Sequence, residues 1–106
     1  MDSSALVIAD PAGVICFWSP GAERAFGYRA DQAVGQTLDL IVPAEYREAH
    51  WRGFRRAIET GVAEAEGVPG PFPVRHAGGD IAPIEGRLTL VRQPQGRVVA
   101  AIVAFG

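Results

Sequence analysis

Strand-patterned runs stand at both ends of this chain and helical patterns fill the middle, an order that leaves few architectures open. Residues 5–9 read Ala-Leu-Val-Ile-Ala, and residues 14–18 are again rich in strand formers. Between them Asp10, Pro11 and Gly13 supply turn chemistry, so the two runs are expected to form a β-hairpin. Ser19 then offers an N-cap with Pro20 at the first helical position, and Gly27 ends that short helix. A second short helix over residues 30–34 stops at Gly35, a natural left-handed position.

After Pro43 the pattern predicts the longest helix. Tyr46, Phe54 and Ile58 recur at multiples of four residues, and Trp51 and Ala57 widen the apolar stripe. Glu48, Arg52, Arg55 and Glu59 occupy the other face, pairing Glu48 with Arg52 and Arg55 with Glu59 at i,i+4 spacing. Gly61 closes this helix. Residues 67–73 are the only compositionally biased segment, and residues 74–76, 81–91 and 98–105 read as strands separated by turns at 77–80 and 93–96. Strands from both ends would pair into one five-stranded antiparallel sheet with the helices on one face, an α+β fold. Leu88, Leu90, Val99 and Ala101 cannot all point inward together with their alternate neighbours, so an apolar sheet face is left uncovered. Such a face tends to be an interface, which predicts a homodimer through that face or the N-terminal segment.

The 106 residues fit a single domain spanning 1–106. A net charge of -2, with every basic residue an arginine, provides no basic footprint for nucleic acid. No run approaches the ~20 apolar residues that cross a bilayer, and the opening Met-Asp-Ser-Ser is not a secretory signal, so no membrane partner is expected. One cysteine, Cys16, forms no internal disulfide, which fits a reducing compartment and a cytoplasmic location.

Catalytic constellations are not evident, and no enzyme is expected. Ser3, Ser4 and Ser19 lie at the terminus or at a cap, with no nucleophile elbow. Cys16 sits in a strand, where a small buried hydrophobe is the simplest reading. His50 and His76 lie 26 residues apart, outside any metal-ligand spacing, and His76 beside the Gly78-Gly79 turn reads as a solvated loop histidine.

The run from Trp18 to Tyr28 (Trp-Ser-Pro-Gly-Ala-Glu-Arg-Ala-Phe-Gly-Tyr), then Gly35, then Ile41-Val-Pro43, resembles the hallmark of the PAS family. Residues 75–83, Arg-His-Ala-Gly-Gly-Asp-Ile-Ala-Pro, resemble that family's basic β-turn-β segment, with Gly-Gly where Asp-Gly is commoner. The resemblance covers nearly the whole chain. It implies a PAS fold and a sensory or signalling role: a small ligand held between helices and sheet, its state relayed to a partner or output domain. A ligand-free PAS module serving dimerisation or protein–protein interaction is the alternative. The flavin-binding class carries its reactive cysteine in a Gly-x-Asn-Cys-Arg helix motif that is not found here, so flavin is not expected.

Residues 43–50, Pro-Ala-Glu-Tyr-Arg-Glu-Ala-His, resemble the helix segment of haem-binding PAS oxygen sensors, in which the matching histidine is the proximal iron ligand. The resemblance therefore implies b-type haem with His50 as the metal ligand, and Arg56 matches an arginine near a propionate. Periodicity places His50 on the stripe with Tyr46, Phe54 and Ile58, and Phe72, Ile81, Ile84 and Leu88 would add apolar contacts from the strands. A packed histidine satisfied by a backbone carbonyl or water is the other reading of His50. Those sensors also hold bound gas with an arginine on the following strand, where this chain reads Gly-Val-Pro-Gly-Pro-Phe-Pro over 67–73.

Overall fold

In a computed structural model, which describes residues 4–106, the first hairpin is turned by one carboxylate. Asp10 Oδ1 accepts from the Ala12 and Val14 amides at 2.9 and 3.0 Å, and strands β1 (Ala5–Ala9) and β2 (Ile15–Trp18) pair antiparallel on either side. Ser3 lies outside the described residues. The Ser19 hydroxyl caps helix α1 (Pro20–Phe26) by accepting from Ala22 N, and it also accepts from Leu6 N at 2.8 Å. One buried side chain thus ties the start of α1 to β1. Gly27 ends α1 in the left-handed region, and a Cβ there would press on Ala77 Cβ at 3.0 Å.

Helix α2 (Ala30–Ala33) is followed by a 3₁₀ turn at Leu38–Leu40 that the sequence pattern did not suggest. The long helix also begins later than expected. Residues Ala44–Tyr46 form a separate 3₁₀ turn after Pro43, and helix α3 runs Arg47–Thr60, carrying a Glu48–Arg52 ion pair at 3.5 Å. Three strands complete the chain: β3 (Gly70–Arg75), β4 (Ile81–Arg92) and β5 (Val98–Phe105). β3 reaches back into the Gly/Pro-rich segment because it lies at the sheet edge, where Pro71 and Pro73 remove few ladder bonds.

The sheet order is β2-β1-β5-β4-β3, and every neighbouring pair is antiparallel. This is the five-stranded α+β arrangement expected from the chain order. Between β1 and β2 the register slips, so Cys16 is the extra residue of a bulge on an edge strand. It is exposed, not the buried hydrophobe expected of it. His76 is corrected in the opposite sense. It is half-buried, its Nδ1 lies 3.0 Å from the Ala25 carbonyl, and its ring meets the Phe26 ring.

Two apolar clusters lie on the helix-bearing face. The larger packs Val7, Ile15, Trp18, Phe26, Val74 and Phe105 beneath α1 and α2. Trp18 closes it by contacting the Phe26 and Tyr28 rings and donating its indole N–H to the Tyr28 carbonyl at 2.9 Å. The smaller holds Ala57, Leu90, Val98 and Ala101 beside α3.

Candidate functional site

Of the 14 residues in α3, only Ala57 is buried, although the helix lies over the sheet with an apolar stripe. The space beneath it is a cavity of about 470 Å³ bounded by α3, the segment over residues 63–65 and the inner face of the sheet. Small side chains create it. Ala49, Gly53 and Ala57 recur every four residues along one line of α3, and Ala9 and Ala101 line the cavity from the sheet. A volume in this range suits a small-molecule ligand.

Leu88, Leu90, Val103, Phe72 and Phe105 make the rest of the cavity strongly apolar, and the ionisable side chains on its wall are His50, Arg56 and Glu64. His50, Arg56, Phe54, Phe72 and Leu88 therefore converge as the sequence pattern implied. Tyr46, Ile81 and Ile84 do not line this space. Tyr46 precedes α3 in the 3₁₀ turn and is exposed. Ile81 has the opposite strand parity to Leu88, so the pleat turns it to the other face, and it is exposed as well. Ile84 shares the parity of Leu88 but lies farther back along β4, against the larger cluster. Sequence reasoning passed over Ala49, Gly53 and Val103, and it used Leu90 and Ala101, with Leu88 and Val99, only to argue for an uncovered sheet face, whereas Leu88, Leu90 and Ala101 line the cavity on the helix-bearing face. The signal available for the helix was the four-residue spacing of its small residues.

His50 is held on the cavity wall by aromatic neighbours, with its ring 4.9 Å from Trp51 and stacked on Phe54 at 5.9 Å. Trp51 is in turn fixed at two points. Its indole N–H donates to Asp39 Oδ1 at 2.7 Å, and its ring lies where a Cβ on Gly13 would stand, 2.3 Å away. Arg47 donates to the Val42 and Asp39 carbonyls at 3.1 and 3.2 Å, tying the Leu38–Leu40 turn to the start of α3. Burial pushes the His50 imidazole below its ordinary pKa of 6.5, against the opposing pull of the Asp39 carboxylate. Burial therefore disfavours the charged ring, and among the described residues its Nδ1 is buried without a hydrogen-bond partner. An unsatisfied buried polar atom costs about 1–3 kcal/mol. A neutral imidazole on an apolar wall can accept a proton, donate one hydrogen bond or ligate a metal.

The remaining wall is a connecting segment fastened to β4. Glu66 accepts from the Leu90 amide at 2.8 Å and pairs with the Arg92 guanidinium, whose Nε reaches the Gly61 carbonyl at 2.9 Å. Those bonds, the one from Arg92 first, hold the Glu66 carboxyl below the usual carboxylate range. Among the described residues no group of three or more His, Cys, Asp or Glu side chains is placed to hold a metal. No described helix is long and apolar enough to cross a membrane.

Known proteins agree with this architecture. The PAS domain of a Colwellia psychrerythraea protein superposes with a TM-score of 0.82 at 24% identity, covering 99% of this chain and 86% of that one. The PAS domain of the Cronobacter turicensis quorum-sensing receptor RpfR, in complex with C12:0, gives 0.76 at 17% identity over 99% of this chain and 93% of its own. The oxygen sensor protein DosP of Escherichia coli is 33% identical over 54 residues, 51% of this chain, and the match spans 7% of that protein's length. A family model described as the PAS fold matches residues 2–105. The chain belongs to the PAS family and is a PAS sensory domain.

Proposed function

We propose that this domain senses its ligand through b-type haem, which would be held in the cavity beneath α3 with His50 as the residue that ligates the iron. The observation that carries the reading is the His50 imidazole, its Nδ1 without a hydrogen-bond partner among the described residues, on the wall of a predominantly apolar space of about 470 Å³. The residues present fit such a group. Phe72, Leu88 and Leu90 offer apolar contact to a macrocycle, His50 a nitrogen ligand, and Arg56 a cation for a propionate. Among the described residues Arg56 has no ion-pair partner within 4.0 Å, so its charge is available. When bound, haem iron supplies a site for a diatomic gas. The protein's part is to orient the imidazole through Trp51 and Phe54, exclude water with the apolar wall, and pass a change at α3 to its partner.

Titrating hemin into the apoprotein and a His50→Ala variant, followed by visible absorption, tests this. A sharp Soret band at one-to-one stoichiometry in the parent, lost in the variant, supports haem ligation. Equal broad absorption in both makes His50 a structural histidine and removes haem from the account.

One observation favours a further role as an interaction module. Leu6, Ile8, Phe17 and Ile102 share the sheet face opposite the helices, with Phe17 43% exposed. We assign this face to a homodimer, through which the ligand state would reach an output domain on the same chain or on a partner. Monomer mass by light scattering at tens of micromolar would count against it. Cys16, exposed and unpaired, fits the reducing conditions of the cytoplasm, where we place the domain.

A further inference from the structure

We propose that Gly53 is a specificity-determining residue, the point at which a planar, largely apolar ligand lies directly against the backbone of α3. This rests on the reading of the α3 cavity as the ligand site. Glycine is the least favourable helix-interior residue after proline, yet it sits in the middle of α3. Two ordinary reasons for a glycine are missing. Its backbone is helical and is not among the positive-φ glycines, so no left-handed turn requires it. A Cβ built at Gly53 would meet no heavy atom within 4 Å, so no neighbour in the chain requires it either.

Gly13 and Gly86 show what a glycine required by its neighbours looks like. A Cβ at Gly13 would lie 2.3 Å from the Trp51 ring, and one at Gly86 would lie 3.0 Å from Phe72 and 3.1 Å from Phe105. Gly53 instead borders the cavity, between Ala49 and Ala57 on the same line of the helix. Across from that line stands the pleated inner face of the sheet, with Leu88, Leu90 and Ala101. Along that line α3 presents only small side chains between His50, Phe54 and Arg56, and such a strip of open backbone suits the face of a flat group better than a globular one. His50 and Arg56 on the same helix put a nitrogen donor and a cation at the edge of that group. The class implied is a planar apolar molecule with an anionic margin. A porphyrin carrying propionates is one member, and a fused aromatic carboxylate or sulfonate is another.

The test compares the parent with Gly53→Ala and Gly53→Leu in the absence and presence of two probes, hemin and 8-anilinonaphthalene-1-sulfonate. Without a probe, Gly53→Ala should raise Tm by about 4 °C or more, because helix propensity improves and nothing is displaced. With either probe, Gly53→Ala should weaken binding at least tenfold, and Gly53→Leu should abolish it while remaining folded. A Tm that fails to rise in Gly53→Ala overturns the proposal by showing that the glycine is needed within the chain. A rise in Tm with unchanged affinity for both probes overturns it equally. Should the parent bind the sulfonate but not hemin, and Gly53→Ala weaken that binding, haem is excluded and the role of Gly53 stands. Failure of the parent to bind either probe removes both the cavity reading and this inference.

Discussion

The two ends of the helix layer are built differently on the same sheet. Under α1 and α2, large side chains interlock: Phe26 is 1% exposed, and its ring meets those of Trp18 and Phe105 at 5.6 and 5.1 Å. Under α3, alanine and glycine face the sheet and leave about 470 Å³ open. The amphipathic pattern of α3 alone did not reveal this, since an apolar stripe can face a filled core or an empty one. The difference makes the first region the structural anchor and leaves the open space of the second as the place where we propose that a ligand binds.

The largest effect that can break this comparison is Phe26→Ala. It should cost about 3–5 kcal/mol of stability in urea denaturation, because a fully packed ring leaves a void. A loss below about 1 kcal/mol would mean that the anchor is also loosely packed. Next come two identical substitutions with opposite expected signs. Ala22→Leu in α1 overfills a site with 0% exposure and should lose about 1–3 kcal/mol. Ala57→Leu in α3 extends into the cavity and should gain about 0.5–2 kcal/mol while weakening hemin binding. Two losses of similar size would erase the distinction between the regions.

A smaller, pH-dependent effect sharpens it. The folded pKa of His50 is depressed, chiefly by burial, so the unfolded chain takes up its proton first as pH falls. Apoprotein stability should therefore rise with pH between that depressed value and the ordinary 6.5, and level off above it. His50→Phe should flatten this slope in denaturation curves taken at successive pH values. If the slope is unchanged, another group is responsible for it.

The smallest effect belongs to the strap on the cavity wall. The folded pKa of Glu66 is lowered, first by its bond from Arg92 and then by the Leu90 amide. Its stabilisation is present above the ordinary 4.5 and is lost as pH falls through the folded value. Glu66→Gln should remove that acid-side slope, and added salt should shrink the difference from the parent, because a surface ion pair is screened. A difference insensitive to salt would point to the bond with Leu90 N instead.

Much of the anchor was legible in the chain because its signals are local. Asp10 and Gly13 turn the hairpin, Ser19-Pro20 starts α1 and Gly27 stops it, each acting within four residues of itself. The candidate site was legible in part. The four-residue spacing of His50 and Phe54 placed both on one face, and both reach the cavity. Ile81 misled because its strand register, not its apolar character, decides which face it occupies. Cys16 misled because a bulge on an edge strand is a property of the pairing.

The sequence by itself determined the order of strands and helices, most of their caps and turns, and the family hallmark, since these depend on neighbours along the chain. Tertiary structure alone decided that α3 stands off the sheet, that Asp39 holds Trp51, and that Glu66 fastens the connecting segment to β4. Each of these joins residues from different elements. The volume left between such elements depends on which side chains meet across the gap, and periodicity along one helix carries no information about its partner.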